Sequence, residues 1–136
     1  MTDRNGTPGD ALRVVVVGGG ASGALVAANL LQAAQHAGPV DVRVIEREDL
    51  VGPGLAYRTT DPRHLLNNVA ARLSVFEQEP DHLLRWCDER GIPAEPQSFL
   101  PRQVYGRYLA SVLAATEVPS GSRLHRFRGE VCDVEP

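Results

Sequence analysis

Apolar positions fall in short runs divided by glycine and proline. Residues 14–17 are four consecutive valines. An unbroken β-branched run predicts a central parallel strand buried on both faces. Gly18, Gly19 and Gly20 interrupt it. Residues 24–35 are mostly Ala, Leu, Val and Gln, with Leu25, Leu30 and Leu31 near helical spacing, and Gly38-Pro39 closes that helix. Residues 41–45 read as a second strand ending at Glu46. Periodicity then fades over residues 47–79, where Gly52-Pro53-Gly54 and Asp61-Pro62 signal turns and a short helical turn is expected near residues 64–67. So long an irregular stretch points to function. Residues 80–90 predict a helix, with Pro80 in its first turn, Leu83, Leu84 and Trp86 on one side, and Gly91 as cap. Pro101 opens another over residues 102–116, with Val104, Tyr105, Tyr108, Leu109, Val112 and Leu113 on one broad face. Residues 124–127 and 131–134 read as two short strands around Gly129. Strand, helix and strand in this order predict an α/β class with a parallel sheet.

The glycine break is where the chemistry gathers. Gly18, Gly20 and Gly23 form G-x-G-x-x-G between a strand and a helix, and Glu46 follows Gly23 by 23 positions, at the end of the next strand. That is the order needed to hold a dinucleotide. Gly18 permits the sharp turn, Gly20 lets a pyrophosphate approach the backbone, and Gly23 lets the helix pack on the strand. Free N–H groups from Gly20 through Ala21 and Ser22 to Gly23, backed by the helix dipole, would face the phosphates. The Glu46 carboxylate would accept hydrogen bonds from a ribose and repel a 2′-phosphate, which argues against NADP at this site. A rival reading is a nucleophile elbow, since residues 20–24 are G-A-S-G-A, one position away from G-x-S-x-G. Against it, this is the first strand of the chain, and nothing marks Asp88 and His125 as partners of Ser22.

Length and composition narrow the classes. The 136 residues suit one domain, and 43% hydrophobic residues supply a core. Residues 1–10 are polar, contain Gly and Pro, and are expected to be a disordered leader, leaving residues 11–136 as the domain. No stretch resembles a signal peptide or could span a bilayer. A net charge of −3 argues against nucleic acid and anionic membrane as partners. All 14 basic residues are arginine, which excludes a Schiff-base lysine and a Walker A lysine. Cys87 and Cys132 have no metal or redox spacing and read as buried thiols in a reducing cytoplasm. His36, His82 and His125 stand in no metal-ligand pattern, and His64 reads as a capping or packing residue. Arg58, Arg63, Arg72, Arg102 and Arg107 could meet phosphates, Arg102 with the best case at the start of a helix, but solvated surface or local pairing with Asp61, Glu77 and Glu79 is the favoured reading of any single one. Neither substrate nor oligomeric state can be read here.

Four segments together carry a resemblance. They are residues 14–23 (V-V-V-V-G-G-G-A-S-G), residues 45–47 (I-E-R) with 52–57 (G-P-G-L-A-Y), residues 59–67 (T-T-D-P-R-H-L-L-N) and residues 99–109 (F-L-P-R-Q-V-Y-G-R-Y-L). The chain resembles, from about Arg13 onward, the N-terminal FAD/NAD(P)-binding domain of FAD-dependent urate hydroxylase-like flavoproteins. The resemblance implies a Rossmann-like, glutathione-reductase-like fold that is incomplete at the C-terminus, with an exposed sheet edge. It implies FAD as cofactor and NAD(P)H as co-substrate of a full-length oxidoreductase or monooxygenase. Carried over by position, Gly18, Gly20, Ala21, Ser22 and Gly23 would surround the pyrophosphate and Glu46 would hold the adenosine ribose. Arg47 would lie near the adenine or ribose, Gly52 and Gly54 would bring backbone close to the cofactor, and Val131 would lie on a strand contacting adenine. The chain departs from the family pattern at Val69 and Leu73, where Pro and Met are usual, and it stops at Pro136 while family members run several times longer. Two other classes stay open: a non-catalytic dinucleotide-binding module and an NAD-dependent dehydrogenase.

Overall fold

The structure is a computed structural model, and it describes residues 11–135; the expected leader at residues 1–10 lies outside them. Three parallel strands form one sheet in the order β1 (Leu12–Val17), β2 (Val40–Glu46), β3 (Arg123–Arg128). Four helices accompany them: α1 (Ala21–Ala37), α2 (Gly54–Tyr57), α3 (His82–Asp88) and α4 (Arg102–Ala115). The parallel sheet, the α1 crossover from β1 to β2 and the glycine turn make the fold Rossmann-like.

Two layers of helix lie on one face of the sheet. Val14, Val16, Val42, Val44 and Leu124 share that face by register. Along α1, Ala24, Ala27, Ala28, Leu31 and Ala34 are buried; this small-residue stripe lets the helix sit close to the strands. Gly38, at φ +110°, ends α1 in a conformation that other residues resist. The whole face predicted for α4 is buried, from Val104 through Leu113. Tyr108, fully buried, ties that helix down: its Oη accepts the Val75 N–H at 3.1 Å and lies 2.8 Å from His82 Nδ1.

The structure corrects four expectations. Among the described residues no strand is buried on both faces: in β1, Val15 and Val17 are 56% and 59% exposed, and in central β2, Val42 and Val44 are wholly inaccessible on the helix face while Arg43 on the other face is exposed. The alternation of a strand sends Val14 and Val16 toward α1 and their neighbours to the opposite face, which the described residues leave open. Separately, β1 pairs only with β2 among the described residues, so it stands at an edge of the sheet, and an exposed sheet edge was expected. Residues 64–67 form no helical turn. Leu65 instead bridges antiparallel to Pro101, and Leu66 N–H donates to Leu100 O at 2.8 Å. Residues 131–134 are not a strand: β2 ends at Glu46, whose carbonyl accepts the Gly129 N–H at 2.9 Å, so the chain beyond has no strand left to pair with. Cys87 is buried, but Cys132 is exposed. Among the described residues no helix is long and apolar enough to cross a membrane.

Candidate dinucleotide cleft

The C-terminal ends of β1 and β2 open into a cleft of about 630 Å³, a size suited to a cofactor. The chain leaves β1 through Gly18, at φ +90°, whose N–H donates to Ile45 O at 2.9 Å. It enters α1 at Gly20, and no side chain caps the helix. The first helical bond runs from Ala24 N–H to Gly20 O at 2.9 Å. The N–H groups of Ala21, Ser22 and Gly23 therefore precede the helical ladder, at the positive end of a 17-residue helix. Amides so arranged suit an anion.

Glycines set the shape of this turn. A Cβ on Gly23 would stand 2.0 Å from Gly18 O and 3.2 Å from Val16 Cγ1, so only glycine lets α1 begin against the strand. Gly54, at φ +53°, backs directly onto Gly20: its Cβ would lie 2.9 Å from Gly20 Cα. Gly52 serves packing, since a Cβ there would sit 2.7 Å from Ala110 N on α4. The Gly52 N–H also donates to Gly19 O at 2.7 Å. The irregular segment after β2 is thus clamped onto the turn by two close backbone approaches.

Glu46 joins the turn to β2. Its Oε2 accepts the Gly19 N–H at 2.6 Å and its Oε1 accepts the Glu48 N–H at 3.0 Å. The Glu48 amide, and then that of Gly19, hold this carboxyl below the ordinary glutamate range against the opposing effect of burial. It is therefore an anion at neutral pH, with lone pairs left for ribose hydroxyls, and it is unfavourable to a 2′-phosphate.

Of the residues singled out in the sequence, Gly18, Gly20, Glu46, Arg47, Gly54 and Val131 line this cleft. Ala21, Ser22 and Gly23 line the adjoining groove, which shares Gly18, Gly20 and Gly54 with it. Val131 arrives on the loop after β3 rather than on a strand. Arg102 is not brought in. Its Nε donates to Leu65 O at 3.2 Å and its N–H to His64 O at 2.8 Å, so it fastens the start of α4 to the preceding loop. The elbow reading fails on geometry, because His125 faces Asp41 at 3.8 Å on the sheet and Asp88 ends α3. Missed from the sequence were Leu50 and Leu55, apolar and 59% and 80% exposed along the cleft; Arg58, one of the arginines named as phosphate candidates, also lines it, held 3.3 Å from Glu48. An exposed leucine in an aperiodic segment is the signal that was available.

Residues 15–136 match a protein family described as FAD-NAD(P)-binding. The chain belongs to that FAD-NAD(P)-binding family. The match spans every residue of the cleft named above. The chain is also similar to two fungal proteins: Monooxygenase PC-14 of Penicillium crustosum and Monooxygenase ptmN of Penicillium ochrochloron. Each is 41% identical to it over 81 residues, or 57% of this chain. Those residues are 13% of the first relative and 12% of the second, so the chain corresponds to a small part of either. No solved structure matches it.

Proposed function

We propose that this chain is the FAD-binding, N-terminal portion of a cytoplasmic flavin-dependent oxidoreductase or monooxygenase linked to NAD(P)H. In this reading it belongs to the urate hydroxylase-like group and has the glutathione-reductase-like form of the fold. The observation that carries the reading is the meeting of free α1 amides, a glycine-only turn and an ionised Glu46 at one cleft. The printed names of the two fungal relatives support the monooxygenase class.

Each residue has a defined task. Ala21, Ser22 and Gly23 offer backbone N–H groups to the pyrophosphate, and Gly18 and Gly20 keep Cβ atoms out of its path. Glu46 accepts hydrogen bonds from the adenosine ribose. Leu50, Leu55 and Val131, all lining the cleft, give the adenine apolar contact. Arg47 and Arg58 bring positive charge to the rim. Bound FAD would supply the redox chemistry, and the protein would bind and orient it.

Titration of the purified chain with FAD tests this. Saturable quenching of flavin fluorescence and a yellow colour that survives gel filtration are expected. A chain that stays colourless and binds NAD instead would select the dehydrogenase reading. A specific observation favours the non-catalytic module: the stretch shared with the two monooxygenases is only 13% and 12% of their length. FAD bound without reduction by anaerobic NAD(P)H would select that module.

A further inference from the structure

The chain has three tyrosines and one tryptophan, and all four stand on one path through the core. Tyr57 and Tyr105 are 5.1 Å apart between ring centroids, Tyr105 and Tyr108 5.7 Å, and Tyr108 and Trp86 5.5 Å. Tyr57 borders the groove at Ser22 and Gly23. Trp86 borders a separate cavity of about 290 Å³ where α1, α3 and α4 meet. These side chains are the most easily oxidised rings in the described chain, and near-contact spacing is what electron exchange between rings requires.

Two details give the path a resting point. Tyr108 has a proton acceptor in place: the Val75 N–H occupies one side of its oxygen, and His82 Nδ1 lies 2.8 Å away. A phenol can lose an electron readily only if its proton can leave with it, and here the proton need move only across one hydrogen bond. Trp86 is the opposite case. The Arg90 guanidinium lies 4.5 Å above its ring, and its buried Nε1 has no hydrogen-bond partner. A positive hole on the indole is disfavoured by the cation, and its proton has no acceptor.

We propose that Tyr57, Tyr105, Tyr108 and Trp86 form a one-electron relay that gathers oxidising equivalents onto Tyr108, with His82 taking the phenolic proton. From the cavity side, an inorganic radical of the azide class removes one electron from Trp86 and becomes its anion. Tyr108 returns that electron to the indole, and its O–H proton passes to His82 Nδ1. The products are neutral Trp86, a Tyr108 phenoxyl radical and protonated His82. From the cleft side, an oxygen-centred radical of the hydroxyl class takes the phenolic hydrogen of Tyr57 and becomes water. Tyr57 and then Tyr105 each regain from the next ring the hydrogen equivalent they gave up. A thiol-class reductant later restores Tyr108 with one electron and one proton, leaving a thiyl radical, and where His82 holds the original phenolic proton it releases it to solvent in the adjoining cavity. Only the origin of oxidants at the cleft rests on the flavin reading; the relay itself does not.

Pulse radiolysis of the flavin-free chain with azide radical as the probe tests the relay. The indole radical can form only at Trp86. It is expected to convert to tyrosyl radical in a first-order step whose rate is independent of protein concentration and slower in deuterated solvent. Tyr108→Phe should slow that step by an order of magnitude or more, and Tyr57→Phe should leave it unchanged. Conversion that scales with protein concentration, or persists at full rate in Tyr108→Phe, overturns the proposal. If Tyr108→Phe does not fold, His82→Gln decides. A slower step without the solvent isotope effect supports the relay, and an unchanged step overturns it.

Discussion

Gly23→Ala is expected to unfold much of the population and to abolish dinucleotide binding in what remains folded. The added Cβ would stand 2.0 Å from Gly18 O and 3.1 Å from Gly18 C, both backbone atoms. Neither can rotate aside as a side-chain tip would. Relief requires α1 to lift from β1, which uncovers Ala24, Ala27 and Leu31 and turns the free amides of α1 away from the cleft. Overpacking of this severity costs about 3 kcal/mol or more, a large share of the ~5–15 kcal/mol that holds a domain together. Urea denaturation followed by circular dichroism measures it. Gly91→Ala is the comparison: Gly91 also has positive φ (+63°), but a Cβ there meets nothing within 4 Å. It should lose only about 1–2 kcal/mol, for backbone strain. Equal losses in the two variants would show that the Gly23 contact is not what limits the turn.

Glu46→Gln is expected to weaken FAD binding at least about tenfold, corresponding to about 1.4 kcal/mol or more, the scale of one hydrogen bond to a charged group. The substitution keeps the shape and removes the charge. An amide oxygen can still accept one N–H, but the Gly19 and Glu48 amides now donate to the two oxygens of a single carboxylate in concert. The variant must leave one of them, or the ribose, poorly served. Fluorescence titration with FAD reads the affinity. The same substitution should change the acid side of the stability curve. Hydrogen bonds from Glu48 and Gly19 place the folded carboxyl below its ordinary pKa. Its contribution is therefore fully present above the unfolded glutamate value and is lost as pH falls through the lower, folded one. Wild type and Glu46→Gln should differ most near neutrality and converge under acid. A gap that widens as pH falls would contradict this assignment.

The glycine turn, the helix after it and the acidic end of β2 were legible because each rests on local chemistry. Gly18 needs positive φ, Gly23 needs no Cβ, and a valine run cannot be polar surface. The buried face of α4 was legible for the same reason, since its spacing is its own. What escaped were facts that belong to pairs of segments. The burial of residues 14–17 depends on what covers the second face of the sheet, and a run of four valines reads alike whether that face is covered or open. Residues 64–67 carry a helix-compatible composition, but Leu65 and Leu66 bond to Leu100 and Pro101 some thirty-five positions away. Arg102 looked like a phosphate ligand until its Nε was found on Leu65 O. Val131 shows the reverse: its predicted strand is absent, yet the loop after β3 still delivers it to the cleft.

The open side of β1 has a consequence for amide exchange. Leu12 N–H reaches Pro39 O and Gly18 N–H reaches Ile45 O. By the alternation of a strand, Val14 and Val16 also turn their amides toward β2, and Arg13, Val15 and Val17 turn theirs to the unpaired side. Protection against deuterium should therefore alternate residue by residue along one strand. The even-numbered amides should persist with those of β2, and the odd-numbered ones should be lost almost at once. A second strand laid along that edge would erase the alternation, which makes the exchange pattern of β1 a direct gauge of whether anything has docked there.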